Sequence, residues 1–219
     1  MGFSEDQILL WFQQYAYQPY LVYFAVVALM VASSFGLPVP EEVTLVGLGL
    51  VCYIGSRPDL YPPPSPGAPV VEVEVAALVA LLAVFLSDYL VFSLGKFFGV
   101  RLMKTRFFAK NQDSFDKVSS WVKRYGMWAA GIFRFTPGLR FPGHFSCGML
   151  GLKQSQFFLV DGLAALVSVP TQVLLISHFG EQILGSIKEF KVYLFSALGL
   201  LILVILAKKY WEKKKASLA

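Results

Sequence analysis

Residues 133–144 restrict the fold of this chain more than any other stretch. They carry Arg134 and Arg140 among prolines and glycines, and apolar segments lie on both sides. Lipid offers no hydrogen bonds, so open backbone and isolated charge are costly at bilayer depth. Proline also interrupts a helix. We therefore predict a broken, re-entrant segment that lines a polar cavity. Its predicted turn residues are Pro137, Gly138, Pro142 and Gly143.

The composition predicts an integral membrane protein. Of the 219 residues, 56% are hydrophobic and only 15% are charged, whereas soluble domains carry about 25% charged residues. This length suits a single membrane domain of roughly four to six membrane segments without an added soluble domain. The first residues are acidic and lack the basic start of a signal peptide, so we expect the first apolar run to remain as an anchor.

Cysteine, histidine and charge patterns argue against several function classes. Cys52 and Cys147 lie in apolar surroundings, where two buried thiols are a simpler interpretation than a disulfide. No spacing of cysteine and histidine suggests a metal site, and we predict no cofactor. The net charge of +5 is concentrated near predicted loops and the tail. It therefore indicates membrane orientation and contact with anionic lipid, and no nucleic-acid partner.

Apolar runs alternate with clusters of proline and charge along the chain, and these clusters set the predicted boundaries. The predicted segments are an interfacial helix (1–18), a short span (20–35), a re-entrant hairpin (36–55), a proline-rich extracytoplasmic loop (56–74), a long span (75–98), a basic amphipathic helix (101–124), a second re-entrant hairpin (125–151), a span (155–179), a last span (191–207) and a basic cytoplasmic tail (208–219).

The first hairpin depends on its prolines, and two other predicted segments leave a detail open. The first hairpin follows from Pro38 and Pro40, which would break a continuous helix and are its predicted turn residues. The end of the proline-rich loop, 70–75, alternates valine and glutamate, so it is either a short strand or the approach to the next helix. The interfacial helix has an extension of the first span as its alternative.

The distribution of basic residues predicts the orientation. Segments 101–124 and 208–219 are rich in lysine and arginine and should both be cytoplasmic. They must then be separated by an even number of crossings, which holds only if 125–151 enters and leaves on the same side. The fold class is therefore an all-α membrane protein with about four transmembrane helices. Its two opposed re-entrant hairpins form an inverted repeat, and both termini are cytoplasmic.

The charged residues inside the apolar segments are the candidate site. Arginine presents a planar fork of donors that matches phosphate, so Arg134 and Arg140 are the predicted phosphate-binding residues. Glu41, Glu42 and Asp88 are the predicted cavity acids. Removal from water disfavours a charged carboxylate while a nearby arginine favours it, so one acid is a candidate proton carrier. The alternative is a static set of buried ion pairs.

Three other polar residues receive weaker roles. His144 and His178 are predicted to be packing or interface residues and not proton relays. Asp161 is predicted to cap its helix or to face the cytoplasmic interface.

Three motifs in order resemble the DedA family, whose members share the VTT or SNARE-associated domain. The resemblance covers about 20–180. The motifs are Pro-Val-Pro-Glu-Glu at 38–42, Ser-Asp at 87–88 followed by Gly-Lys-Phe-Phe-Gly at 95–99, and Phe-Arg-Phe-Thr-Pro-Gly-Leu-Arg at 133–140. The chain departs from the family in its long proline-rich loop, in Glu41, where many members have a small residue, and in lacking a tryptophan at 165–169.

The resemblance implies opposed re-entrant hairpins and a lipid-handling role. Family members flip or scramble phospholipid, or return undecaprenyl phosphate across the bacterial plasma (inner) membrane, often with a dependence on the proton motive force. By position, Glu42 and Asp88 correspond to the family's essential acids, and Arg134 and Arg140 to its essential arginines.

We therefore predict a proton-coupled flippase or scramblase whose partners are membrane lipids, polyprenyl phosphate or phospholipid, and protons. A homo-oligomer is left open. One alternative is a lipid-phosphate phosphatase, since 142–144 reads Pro-Gly-His. That chemistry needs a second histidine and more basic partners, so we predict no enzyme. The other alternative is a structural or assembly protein whose charges only hold its fold together.

Overall fold

The computed structural model describes residues 5–34, 41–102, 104–105, 112–136 and 139–184. All regular elements in these ranges are helices and none is a strand, which confirms the predicted all-α class. In chain order they include α1 (Glu5–Ala16), α2 (Pro19–Ser34), α3 (Glu41–Gly55), α4 (Val73–Leu102), α5 (Gln112–Tyr125), α6 (Trp128–Arg134), α7 (Arg140–Met149) and α8 (Gln154–His178).

The chain divides into two compact units, Met1–His178 and Phe179–Ala219. The first unit contains α1 to α8. The second is described only over 179–184, with a short helical stretch at 180–184. The predicted last span, 191–207, and the predicted basic tail, 208–219, lie outside the described residues.

Two described helices, Val73–Gly99 within α4 and α8, are long and apolar enough to cross a membrane. A third crossing is added if Leu10–Ala16 and α2, which meet at a bend of 104°, are counted as one broken span. With 16 and 15 residues, α2 and α3 are shorter than the roughly 20 residues that a span requires. The prediction of a multi-pass membrane protein is confirmed at this coarser level.

The proline-rich loop folds back onto the corner between α1 and α2. The Tyr17 hydroxyl donates to the carbonyl of Tyr61 at 2.6 Å, and the Val71 amide donates to the carbonyl of Ala16 at 2.9 Å. Described residues 70–72 form no strand, and α4 begins at Val73. The valine and glutamate alternation is therefore the approach to a helix.

The predicted basic helix at 101–124 is not one helix. Residues 101–102 are the end of α4, residues 104–105 form a turn and bend, and α5 begins at Gln112. Helix α5 buries Phe115, Val118 and Val122 and exposes basic side chains on its other face. The described helical residues of the predicted basic segment therefore belong to two different helices, the apolar α4 and the amphipathic α5.

Helices α6 and α7 form an antiparallel pair. Gly143 lies against the ring of Phe133, and His144 Nε2 lies 3.3 Å from the carbonyl oxygen of Ala130. The segment that joins the two helices includes Pro137 and Gly138, which lie outside the described residues, as do Pro38 and Pro40. The ends of the pair near this joining segment carry Arg134 and Arg140.

Pro142 and Gly143 are not turn residues, so this part of the sequence prediction is wrong. Both lie in the first turn of α7, and the Gly143 amide donates to the carbonyl of Leu139 at 2.7 Å. Proline is tolerated there because the first amides of a helix have no intrahelical partner. Gly143 serves close packing instead, since a Cβ at this position would meet the ring of Phe133.

Glycines also let α7 approach α4 at backbone distance. A Cβ on Gly95 would collide with the carbonyl of Phe145, and one on Gly148 would collide with the carbonyl of Phe92. The core beside this contact contains Phe92, Val118, Val122, Phe133, Cys147 and Phe157. Cys52 and Cys147 are buried free thiols, as predicted. The close packing holds α7 against the second half of α4.

Candidate functional site

Five helices bring charged or ionisable side chains together at the tip of the α6–α7 pair. We call this group the charged cluster. Its members are Glu41 at the start of α3, Asp88 in the middle of α4, Arg134 at the end of α6, Arg140 and His144 on α7, and Asp161 on α8.

Arg134 links the two long helices. Its Nη1 donates to Asp88 Oδ2 at 2.6 Å and to Asp161 Oδ1 at 2.9 Å, and its side chain is only 4% exposed. A buried charge is tolerated when it is paired and hydrogen-bonded. These two carboxylates therefore hold the Arg134 guanidinium in place from the interior side.

Arg140 lies nearer the surface of the protein. Its Nε donates to Asp88 Oδ1 at 2.7 Å, its Nη1 pairs with Glu41 Oε2, and 17% of its side chain is exposed. The other Glu41 oxygen, Oε1, lies 3.9 Å from Arg134 Nη2. Glu41 thus faces both arginines at once, while Asp88 accepts a hydrogen bond from each of them on the inner side.

His144 belongs to the charged cluster, although we predicted a packing or interface residue. Its side chain is fully buried, and its Nδ1 lies 3.1 Å from Asp88 Oδ1. Nε2 lies 3.5 Å from Asp161 Oδ1, and the ring meets Phe157 edge-on at 5.1 Å. The ring therefore both packs and orients Asp88. The polar role escaped sequence reasoning because a lone histidine near prolines carries little positional information.

Asp161 does not cap its helix or face an interface, so its predicted role is wrong. It is fully buried inside α8 and pairs with Arg134. A signal was present in the sequence, because a lone acid inside an apolar span is costly enough to require a cationic partner. The rule that predicts a cationic partner for Asp88 also predicts one for Asp161.

Of the two adjacent glutamates, the structure brings Glu41 to the arginines and leaves Glu42 exposed on α3. Neighbouring positions on a helix point about 100° apart, so one cavity admits only one of them. The resemblance had implied Glu42 as the essential acid. Asp88 accepts hydrogen bonds from both Arg134 and Arg140, so the structure brings these three predicted site residues together.

Several buried polar atoms of the charged cluster have no hydrogen-bond partner among the described residues. They are Arg134 Nε, Arg134 Nη2, Arg140 Nη2 and Asp161 Oδ2. Buried polar groups are normally hydrogen-bonded. Unused guanidinium donors are therefore a binding opportunity for an anion with several oxygens.

A model of the VTT domain matches residues 39–180, which include α3 to α8 and every member of the charged cluster. This chain belongs to the VTT domain family. The match confirms the resemblance to DedA proteins that the three motifs indicated.

A curated relative of this VTT domain protein comes from Haemophilus influenzae and is described as an uncharacterized membrane protein. The two are 28% identical over 156 residues, which cover 70% of this chain and 68% of the relative. That description agrees with the membrane assignment. No solved structure matches the chain.

The charged cluster of this VTT domain protein suits an anion better than a metal ion. Ligand atoms of Asp88, His144 and Asp161 all lie within 4.8 Å of one another, a spacing that a metal can use. However, Arg134 and Arg140 already donate to the same carboxylates at 2.6 to 2.9 Å. A divalent cation would face both guanidinium charges at close range. The carboxylates that could bind a metal are therefore already paired with arginines.

Proposed function

We propose that this VTT domain protein moves a phosphate-bearing lipid, such as a polyprenyl phosphate or a phospholipid, across a membrane. Arg134 and Arg140 would bind the phosphate. The observation that carries the proposal is the pair of guanidiniums held between two candidate spans, with donors left unused. Arginine matches phosphate geometry, and charged groups inside membrane segments commonly mark a transport path.

We further propose that α6 and α7 form a re-entrant hairpin that opens to the cytoplasm. Its tip meets Asp88 in the middle of α4, while Met149 at its base packs beside Gly99 near the end of α4. An antiparallel pair with this depth supports entry and exit on one side. The proposed arrangement retains four spans, an opposed hairpin at 36–55, cytoplasmic termini and a bacterial inner membrane location.

Proton coupling is part of the proposal, and Glu41 and Asp88 are its acids. Three carboxylates, those of Glu41, Asp88 and Asp161, face two guanidiniums in the charged cluster. Binding a phosphate would add negative charge to a buried site that already holds three carboxylates. Uptake of a proton by a carboxylate would offset it. Glu42 is exposed and is left out of the coupling role.

We propose transport without chemical change of the lipid. The histidine-dependent phosphatase that Pro-Gly-His at 142–144 suggests would require a histidine that can reach the phosphorus atom, but His144 is fully buried with its ring nitrogens near Asp88 and Ala130. This geometry supports a role for His144 in holding Asp88.

An apolar groove beside Arg134 supports a lipid substrate over a soluble phosphate. The groove lies between α6 and α8 and has a volume of about 430 Å³. Phe135, which follows Arg134, and Val160, which precedes Asp161, are among its lining residues. Volumes of this size are typical of ligand sites. A hydrocarbon chain in the groove would place its phosphate end near the charged cluster.

Filling the groove is expected to impair lipid transport without changing the binding of inorganic phosphate. In Ala164→Trp, the indole would occupy space between α6 and α8, and we expect lipid movement to fall at least about tenfold, equivalent to about 1.4 kcal/mol. Binding of inorganic phosphate, which has no chain, should not change. The control is Val167→Trp, at a 67% exposed position of α8 outside the groove lining. Equal transport by both variants would contradict a role for the groove.

The proposed function is tested by head-group translocation in proteoliposomes. Fluorescent phospholipid and a polyprenyl phosphate are compared, each with and without a pH gradient. We expect wild type to move at least one of them and Arg140→Ala to move it about a hundredfold more slowly, since loss of one partner of a buried charged contact costs several kcal/mol. If folded wild-type protein moves neither lipid, the transport proposal is wrong.

A further inference from the structure

The three carboxylates of the charged cluster are not equivalent. Asp88 and Asp161 are 1% and 0% exposed, and each lies on a long helix that forms a candidate span. Glu41 is 14% exposed and is the first residue of α3. The two aspartates lie on the buried side of the arginines. Glu41 contacts the arginines from the more exposed side of the charged cluster.

Glu41 also makes the contact that a bound anion would make. One of its oxygens pairs with Arg140 Nη1, and the other lies 3.9 Å from Arg134 Nη2. A carboxylate that spans two guanidiniums occupies the same kind of position as a phosphate between two arginines.

We propose that Glu41 is a displaceable internal anion that occupies the phosphate position of the arginine pair when no substrate is bound. The inference rests on the proposed function, because it concerns the same arginines. Substrate phosphate replaces the Glu41 carboxylate, while Asp88 and Asp161 continue to hold the arginines in place.

The unused donors favour this exchange. Glu41 Oε1 is too far from Arg134 Nη2 for a hydrogen bond, and Arg134 Nη2 and Arg140 Nη2 have no hydrogen-bond partner among the described residues. A phosphate presents more oxygens than a carboxylate and can accept from these donors as well. Glu41 therefore leaves some of the guanidinium donors of Arg134 and Arg140 unused. An anion that accepts hydrogen bonds from more of these donors can displace it.

The exchange also connects phosphate binding to protons. A released Glu41 carboxylate loses its pairing with Arg140, and taking up a proton removes the charge that would otherwise compete for the arginines. Protonation of Glu41 and phosphate binding would thus assist each other. His144 faces the inner carboxylates and lies behind Asp88, so this exchange leaves its contacts in place.

The test measures binding of inorganic phosphate and of a short-chain lipid phosphate to the full chain in nanodiscs, by calorimetry. We expect Glu41→Gln to bind both ligands about tenfold or more tightly than wild type, because removing the competitor raises the fraction of free sites. Glu42→Gln is the matched control, since it removes the neighbouring exposed carboxylate. It should bind like wild type at equal salt.

The arginine variant Arg140→Ala separates this inference from the proposed function. If Arg140→Ala loses phosphate binding while Glu41→Gln binds no more tightly than wild type, the internal-anion inference is wrong and the arginine site stands. If Arg140→Ala binds phosphate like wild type, or no variant binds it, both are wrong. Thermal unfolding of each variant identifies any loss of fold, and a folded Glu41→Asp variant should bind more weakly than Glu41→Gln.

Discussion

Replacing Arg134 by alanine is expected to abolish lipid movement and to lower the free energy of unfolding by about 3–5 kcal/mol. The cost arises because Asp88 and Asp161, which are 1% and 0% exposed, both lose a charged partner. We would measure head-group translocation in proteoliposomes and, separately, unfolding of the purified protein. The stability loss should be among the largest for any single change in the chain.

Two further variants test the role of Arg134 if Arg134→Ala does not fold. In the double variant Arg134→Ala/Asp161→Asn the uncompensated Asp161 charge is removed, so part of the stability should return while transport stays absent. Arg134→Lys keeps a charge but loses the fork of donors, and should fold with strongly reduced transport. Normal transport by the folded double variant would mean that Arg134 only holds the fold together.

Gly148→Ala is expected to separate α7 from α4. The added Cβ would collide with the carbonyl oxygen of Phe92 and would lie 2.8 Å from the Lys96 amide nitrogen, both of them backbone atoms that cannot rotate away. Overpacking of this kind costs about 1–3 kcal/mol or more. Because Arg140 lies on α7 and meets Asp88 on α4, we also expect transport to fall at least about tenfold. Thermal unfolding and proteoliposome transport measure the two effects.

Gly47 provides the matched control for this substitution. It lies inside α3, and a Cβ there would meet no heavy atom within 4 Å. Gly47→Ala should therefore leave transport unchanged and raise stability by about 0.5–1 kcal/mol, because alanine loses less conformational entropy than glycine in a helix. Equal effects of Gly47→Ala and Gly148→Ala would show that backbone contact between α4 and α7 does not support the site.

The strongest sequence predictions concerned charge inside apolar segments. Arg134, Arg140 and Asp88 were expected to share a cavity, and the structure brings their side chains within hydrogen-bond distance. The prediction succeeded because an unpaired charge at bilayer depth is so costly that its presence implies a partner. Helical class and membrane location followed from hydropathy for a similar reason, since backbone groups in lipid must bond within their own segment.

Turn residues were predicted less well. Proline and glycine each have more than one structural use, and the sequence does not say which applies. At Pro142 the missing amide falls in the first turn of α7, where it costs little, and Gly143 permits contact with Phe133. Both residues therefore lie inside a helix that the local sequence alone disfavoured.

The sequence by itself determined that this chain is a helical membrane protein with buried arginines that need acidic partners. The free energy cost of an unpaired charge in lipid is larger than the local conformational preferences of the chain, so it dominates the prediction. Only the tertiary structure decided which acids these are. Glu41 and Glu42 are chemically identical neighbours, and helix rotation alone turns one of them to the cluster. Asp161 and His144 join through α8 and α7, whose positions depend on packing between distant segments. Such contacts are set by side-chain fit in three dimensions, which no local pattern encodes.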